Sequence, residues 1–316
     1  MKNFLINLLS FILVISSIFG INLIINQYYF IYKPYIIEKN IETVIMGGSL
    51  TMYSLNPEII KNSINISQEA EIYEVTYFKL KYLLANNKKI NNIILNFSPV
   101  NFSDYKIMKG RKKNLPVNTI FYNLIPIFTV LNDFNPDKKD YFHNYIKHNF
   151  FNKEITYAIL TGNKYYPFIG EFKPVKESFI NKKNWLEFVL SEVYYSQEKK
   201  ENDILYLSLY YLFKIIDLCK ENNINLLLIN TPQKNEIIPV KFKIFYKKVT
   251  NYLIENKQIT EGSKVNINKF FFSGVILDYS NDNLPDEYYL DHVHLNNKGA
   301  NYLSQKIQKF LQEYLK

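Results

Sequence analysis

The chain opens on a long apolar run. From Asn3 to Tyr32 no residue is charged, and Phe4 to Ile25 is almost wholly apolar. About 20 apolar residues suffice to cross roughly 30 Å of hydrocarbon. Residues 1–32 therefore predict an uncleaved transmembrane anchor, with Tyr28, Tyr29, Tyr32 and Tyr35 at the interface. A cleaved signal peptide is the competing reading, since Ser16-Ser17 and Gly20 supply small residues, but the apolar run continues through Ile21 to Ile25. A short tail bearing Lys2 ahead of a large domain is expected to stay inside, which places everything after a stem at 33–40 outside the cytoplasm, periplasmic or extracellular.

Beyond the stem the pattern alternates between short apolar runs and helical periodicity. Thr43 to Met46 reads as a buried strand ending on Gly47-Gly48-Ser49, and Asn56-Pro57-Glu58 as the start of a helix. Ser63 to Ser67 is a second strand candidate. A helix follows from Tyr73 to Ala85, with Val75, Phe78, Tyr82 and Leu83 at helical spacing. Asn92 to Asn96 is a third strand, broken by Phe97-Ser98-Pro99. Regularity then lapses from Phe102 to about Asn202, a stretch rich in Tyr, Phe, Lys and Asn and punctuated by Pro116, Pro126, Pro136, Pro167 and Pro174. It resumes with a helix at Ile204–Glu221, a strand at Asn225–Asn230, a helix at Phe242–Glu255, a strand at Val275–Leu277 and a final helix at Lys298–Leu315. Such alternation implies an α/β fold whose parallel sheet is covered on both faces. The α/β domain is expected at 41–101 and 204–316, with 102–203 inserted after the third strand. In open α/β sheets the ligand lies beyond the carboxyl ends of the strands, so the insertion is placed to form a lid or an acceptor-binding wall.

Composition narrows this only a little. An apolar fraction of 47% supports a packed core. The net charge of +9 is almost all Lys, Arg111 being the one arginine, and no basic cluster accompanies a nucleic-acid motif. A solvated Lys-rich surface is expected, with no nucleic-acid partner. Cys219 is the single cysteine, which excludes an intramolecular disulfide and a Cys-rich metal site. Its apolar neighbours predict a small buried hydrophobe.

Two segments carry candidate chemistry. Ser49 follows the first strand on a Gly-Gly turn, where its hydroxyl can face the crevice while backbone N–H groups of a following helix are offered to an anion. Glycine-rich turns of this kind also bind phosphate, but neither a P-loop nor a GxGxxG is present. The second segment is Asp291-His292-Val293-His294-Leu295-Asn296-Asn297-Lys298-Gly299-Ala300, just before the last helix. An Asp three residues before a His on a turn reaches the far ring nitrogen and fixes the tautomer, leaving the other nitrogen as a base for serine. A two-histidine metal pair, His292 with His294, is the alternative, though no third ligand is evident. No metal or other cofactor is expected. His143 and His148, in the insertion, read as surface residues.

Together Gly47-Gly48-Ser49-Leu50 and Asp291 to His294 resemble the first and last blocks of the SGNH/GDSL hydrolase superfamily, with Gly48 where many members carry Asp. The resemblance covers roughly 41–101 and 204–315. It implies a flavodoxin-like three-layer sandwich, with Ser49 as nucleophile, His294 as base and Asp291 as orienting acid. The family's middle blocks, a Gly after the second strand and an Asn after the third, are altered here. Donors to an oxyanion are sought among the backbone at Gly48, Leu50, Gln68 and Ala70, and among Asn96, Ser98 and Asn101. An anchored SGNH domain with a long insertion is similar to proteins of alginate-type O-acetylation and teichoic-acid D-alanylation. This resemblance implies an esterase or O-acyltransferase acting on an envelope or exported polysaccharide, or another acylated carbohydrate, beside a multi-pass membrane-bound O-acyltransferase. The rival is a non-catalytic accessory protein of the same fold that binds the polymer or the acyltransferase.

Overall fold

The computed structural model describes residues 2–32, 35–102, 161, 169–176, 201–234, 240–255, 259–261 and 274–314. Most of the insertion, with His143 and His148, lies outside these residues. The chain divides into two compact units, Met1–Ile36 with Leu115–Phe168 and Ile37–Asn114 with Ile169–Lys316. In the first, Lys2–Tyr32 forms one helix, α1, of 31 residues. Its Phe4, Leu9, Phe11 and Leu13 are exposed. Within α1 the side chains described without a break are those of residues 2–18. Among the described residues, no helix is long and apolar enough to cross a membrane.

The second unit is α/β. Its described elements are β1 (Thr43–Met46), α2 (Ser49–Ser54), β2 (Ser63–Asn65), α3 (Tyr73–Asn86), β3 (Asn92–Asn96), α4 (Glu201–Glu221), β4 (Asn225–Asn230), α5 (Val240–Glu255), β5 (Ile259–Glu261), β6 (Gly274–Asp278) and α6 (Asn297–Tyr314). Six strands form one sheet in the order β2-β1-β3-β4-β6-β5, and every pairing is parallel. The architecture is consistent with a flavodoxin-like sandwich. The chain leaves β1 toward β2 on one side and returns across it to β3 on the other, so the switch point of the sheet lies at the end of β1.

Burial explains the strand sequences. Successive side chains alternate between faces, and both faces are covered, so the strands read as unbroken apolar runs. Ile45, Ile94, Leu227 and Val275 stand in register across the sheet. They pack with Leu55, Ile60, Leu295, Leu303, Ile307 and Phe310 in one core cluster. Helix α6 joins that cluster through Leu303, Ile307 and Phe310, spaced at four and three residues so that one stripe is buried. Alternation points Val44, Met46, Ile93, Leu95 and Leu228 to the opposite face, all of them buried. Cys219, in α4, is also buried, and burial pushes its thiol up to about 12.

One expected element differs. Asn56-Pro57-Glu58 does not open a helix. The side chain of Asn56 accepts the Glu58 N–H at 3.0 Å, an Asx turn that competes with helix. Its backbone N–H and amide are held by Ser304 (2.8 Å) and Asn301 (3.1 Å) of α6. The helix starts instead at Ser49 itself and ends at Ser54. Strand β5 has no counterpart in the sequence pattern.

The loop after β2 rests on a buried ion pair. Lys79 Nζ lies 2.5 Å from Glu71 Oε2, with both side chains at 0% exposure, and donates to the Ile66 carbonyl at 2.9 Å. Thr76 Oγ1 donates to the other Glu71 oxygen at 2.8 Å. Burial holds the Lys79 ammonium below the usual lysine range, against the opposing pull of Glu71. Removing one partner strands a buried charge, so Lys79→Met or Glu71→Gln alone should cost about 3–5 kcal/mol. Denaturant unfolding should show the Lys79→Met/Glu71→Gln double variant losing less than the sum of the singles.

Candidate active site

The site begins where β1 ends. Gly47 has φ of +125°, in a region that side chains rarely adopt. A Cβ there would stand 2.8 Å from Asn96 Cβ and 3.1 Å from Thr51 Oγ1. The glycine thus lets β1 turn sharply against the end of β3, and Ser49 emerges half-buried at the first position of α2. Helix α2 is short, and its terminal carbonyls find partners outside it. Asn65 Nδ2, at the end of β2, donates to Thr51 O (3.0 Å) and Leu55 O (2.8 Å).

The second half is a turn between two fixed points. Leu290 N–H donates to His294 O at 2.9 Å, Lys234 N–H donates to His292 O at 3.0 Å, and Tyr289 bridges Leu295. Asn296 caps α6, its Oδ1 accepting Lys298 N–H at 2.9 Å and Gly299 N–H at 3.3 Å. Its amide donates back to Glu287 O at 2.7 Å. Lys234 Nζ pairs with Asp286 and sits 4.6 Å from the Tyr289 ring centroid.

Asp291 Oδ1 accepts the backbone N–H groups of Val293 (2.7 Å) and His294 (2.8 Å). Its Oδ2 lies 2.8 Å from His294 Nδ1. His294 Nε2 lies 2.8 Å from Ser49 Oγ. A carboxylate is acceptor-only, so Nδ1 carries the ring proton and Nε2 is left to accept the serine hydroxyl proton. Ser49, His294 and Asp291 thus form one continuous hydrogen-bonded chain. The His294 side chain is 17% exposed and that of Asp291 6%, so the serine end is the more open.

The expected oxyanion donors are placed unevenly. Gly48 precedes α2, and its carbonyl accepts Met52 N–H at 3.1 Å. The N–H groups of Ser49 and Leu50 therefore precede the first intrahelical bond. Gln68 N–H donates to Gly47 O at 3.0 Å, tying the loop after β2 to the turn before Ser49. Ala70 has φ of +58°, the left-handed conformation that glycine favours. Asn96, Ser98 and Asn101 come together but bond to one another. Asn96 Nδ2 and Ser98 Oγ both donate to Asn101 Oδ1, at 2.8 and 2.7 Å, while Asn96 Oδ1 has no hydrogen-bond partner among the described residues. His292 is half-buried beside the site. Among the described residues no cluster of three or more His, Cys, Asp or Glu side chains is placed to hold a metal ion.

Tyr53 is a neighbour the sequence pattern did not single out. Its ring stands edge-on to the His294 imidazole, with centroids 5.0 Å apart and planes at 63°. Its hydroxyl donates to Glu69 Oε1 at 3.0 Å. Burial, then Glu69, pushes the phenol up to about 12, so near neutral pH it donates to Glu69. The signal lies in the spacing: Tyr53 is four residues after Ser49, on the same helix face.

Gly47→Ala combines a strained backbone with an overlap at Asn96, and should cost about 1–3 kcal/mol. A lowered thermal midpoint together with slower fluorophosphonate labelling of Ser49 checks both consequences. No protein-family model matches the chain, and no curated protein sequence matches it.

Proposed function

We propose that this protein is an SGNH-type serine esterase or O-acyltransferase acting through an acyl-Ser49 intermediate. The observation that carries the reading is the unbroken contact from Asp291 through His294 to Ser49, 2.8 Å at each step. Those are the heavy-atom distances at which a base takes a hydroxyl proton. Ser49 Oγ attacks the acyl carbonyl carbon as Nε2 takes its proton, and Asp291 stabilises the imidazolium that forms. The tetrahedral oxyanion is met by N–H groups at the start of α2. Collapse expels the alcohol, protonated by His294, and leaves acyl-Ser49. An incoming hydroxyl then attacks, with His294 as base, and Ser49 is regenerated. Water gives hydrolysis; a sugar hydroxyl gives transfer.

The substrate class follows from the resemblance and from topology: O-acyl groups on an envelope or exported polysaccharide, handled beside a membrane-bound O-acyltransferase. Helix α1 supports anchorage. The run from Phe4 to Ile25 is almost wholly apolar, and Phe4, Leu9, Phe11 and Leu13 within it are exposed rather than packed. We assign the N-terminus to the inside and the α/β unit to the outside. The non-catalytic reading draws on Asn96, Ser98 and Asn101, which bond to one another.

The purified chain should hydrolyse an activated acetyl ester, and Ser49→Ala or His294→Ala should each lower kcat at least about 10³-fold, the double variant little further. Asp291→Asn should cost about 10⁴-fold by favouring the wrong tautomer. Unchanged hydrolysis and unchanged polysaccharide acylation in a folded Ser49→Ala protein would sink the catalytic reading in favour of the accessory one. For topology, a reporter fused after Lys316 should be active only outside the cytoplasm; activity confined to the cytoplasm removes the envelope substrate.

A further inference from the structure

Residues 169–176, near the far end of the insertion, run across the site as a strap. Gly170 N–H donates to Ile66 O at 3.2 Å, Lys173 N–H to Met52 O at 3.0 Å, and Val175 O accepts Asn297 N–H at 2.9 Å. At α2 and α6 the strap meets backbone groups that the helix itself leaves open. Met52 lies among the last four carbonyls of α2, and Asn297 among the first N–H groups of α6, none of which has an intrahelical acceptor or donor. Ile66 follows β2, an edge strand of the sheet. These elements carry Ser49, the loop after β2, and the turn of His294.

The fit is close. A Cβ at position 170 would fall 1.7 Å from Ser67 O, so only glycine lets the strap lie on that loop. A side-chain path leads from the strap to the imidazole. Lys173 Nζ is 3.7 Å from Glu69 Oε1, the oxygen that accepts the Tyr53 hydroxyl, and the Tyr53 ring abuts His294. The Lys173–Glu69 pair is partly exposed, at 44% and 38%, and contributes little alone. Geometry is its contribution: it joins strap, loop and ring.

We propose that the strap 169–176 and Tyr53 form a positioning element for His294, holding α2 against the start of α6 and keeping the imidazole from turning away from Ser49. The proposal rests on Ser49 being the nucleophile. One lateral wall of the imidazole is the Tyr53 ring, and Ser49 and Tyr53 share a helix face, so any shift of α2 moves both. The strap fixes α2 at Met52, one residue before that ring.

The test uses the full-length protein in detergent-containing buffer, with an activated acetyl ester for turnover and a fluorophosphonate for the rate of Ser49 labelling. Tyr53→Ala should lower kcat about 100-fold, as expected for a misplaced catalytic group, with KM within about twofold and labelling slowed in parallel. Tyr53→Phe, which keeps the ring but loses the bond to Glu69, should recover part of that loss, since the strap still holds α2 at Met52 O. Gly170→Ala should displace the strap and lower kcat in the same direction. If it costs the fold, Lys173→Pro, which removes the N–H that Met52 accepts, takes its place. Values of kcat within about twofold of wild type for Tyr53→Ala and the strap variant, beside an inactive Ser49→Ala, overturn the positioning role and leave the nucleophile standing. Loss expressed in KM alone, or equal loss in Tyr53→Phe and Tyr53→Ala, also overturns it. Full activity in Ser49→Ala overturns the underlying reading, and the positioning role with it.

Discussion

The hydrogen bond of 2.8 Å between His294 and Ser49 joins residues 245 apart in sequence. One end follows the first strand of the sheet and the other precedes its last helix, and the contact survives only if both are held to within a fraction of an ångström. Packing alone supplies part of this, through Leu55 and Ile60 against Leu303 and Ile307. Polar contacts fix the rest. Asn56 is held by Ser304 and Asn301, and Lys61 N–H donates to Gln308 Oε1 at 2.7 Å. The connection after α2 is therefore bonded along about two turns of α6. A slide of α6 would break these bonds before it moved His294.

β1 ends on the apolar Met46 and leads into Gly47, but β2, β3, β4 and β6 close on the polar residues Asn65, Asn96, Asn230 and Asp278. This crown lies at the carboxyl edge, where α/β sheets bind ligands. Its members are spent on architecture as much as on chemistry. Asn65 closes α2, Asn96 joins Ser98 and Asn101, and Asn230 Nδ2 donates to Asp278 at 3.0 Å. Buried amides in such a network restrict the ways the loops can pack, since each unmade bond costs about 1–3 kcal/mol. The loop after β2 is held from beneath by Glu71 and Lys79 and from above by the strap.

The legible parts of the site were those whose geometry is local. Asp291 and His294 stand three apart on one turn, so their contact is written in their spacing. Ser49 is marked by the two glycines before it, and the parallel sheet by runs such as Val44 to Met46. Tyr53 was legible only through its spacing from Ser49, which places it beside His294 only if a helix starts at Ser49, and Asn56-Pro57 drew a helix start downstream. What overrode the pattern was tertiary: Asn56 bonds to α6 instead of capping a helix of its own. The strap left little side-chain signature, since its bonds to Ile66, Met52 and Asn297 are backbone to backbone and ask only for a glycine at 170 and a residue with an N–H at 173.

The resemblance expects a glycine on the loop after the second strand, and that loop carries Ser67-Gln68-Glu69-Ala70 instead. Ala70 takes φ of +58°, at a cost of about 1–2 kcal/mol for a residue with a Cβ. From across the site Gly170 of the strap presses on Ser67 and leaves no room for a methyl group. The loop cannot then be understood from the α/β core alone. Its shape is set jointly by Lys79 and Glu71 below, by Gln68 N–H bound to Gly47 beside Ser49, and by a glycine that belongs to the insertion. One glycine of the strap and one left-handed alanine of the loop therefore fix the same few residues from two segments far apart in the chain.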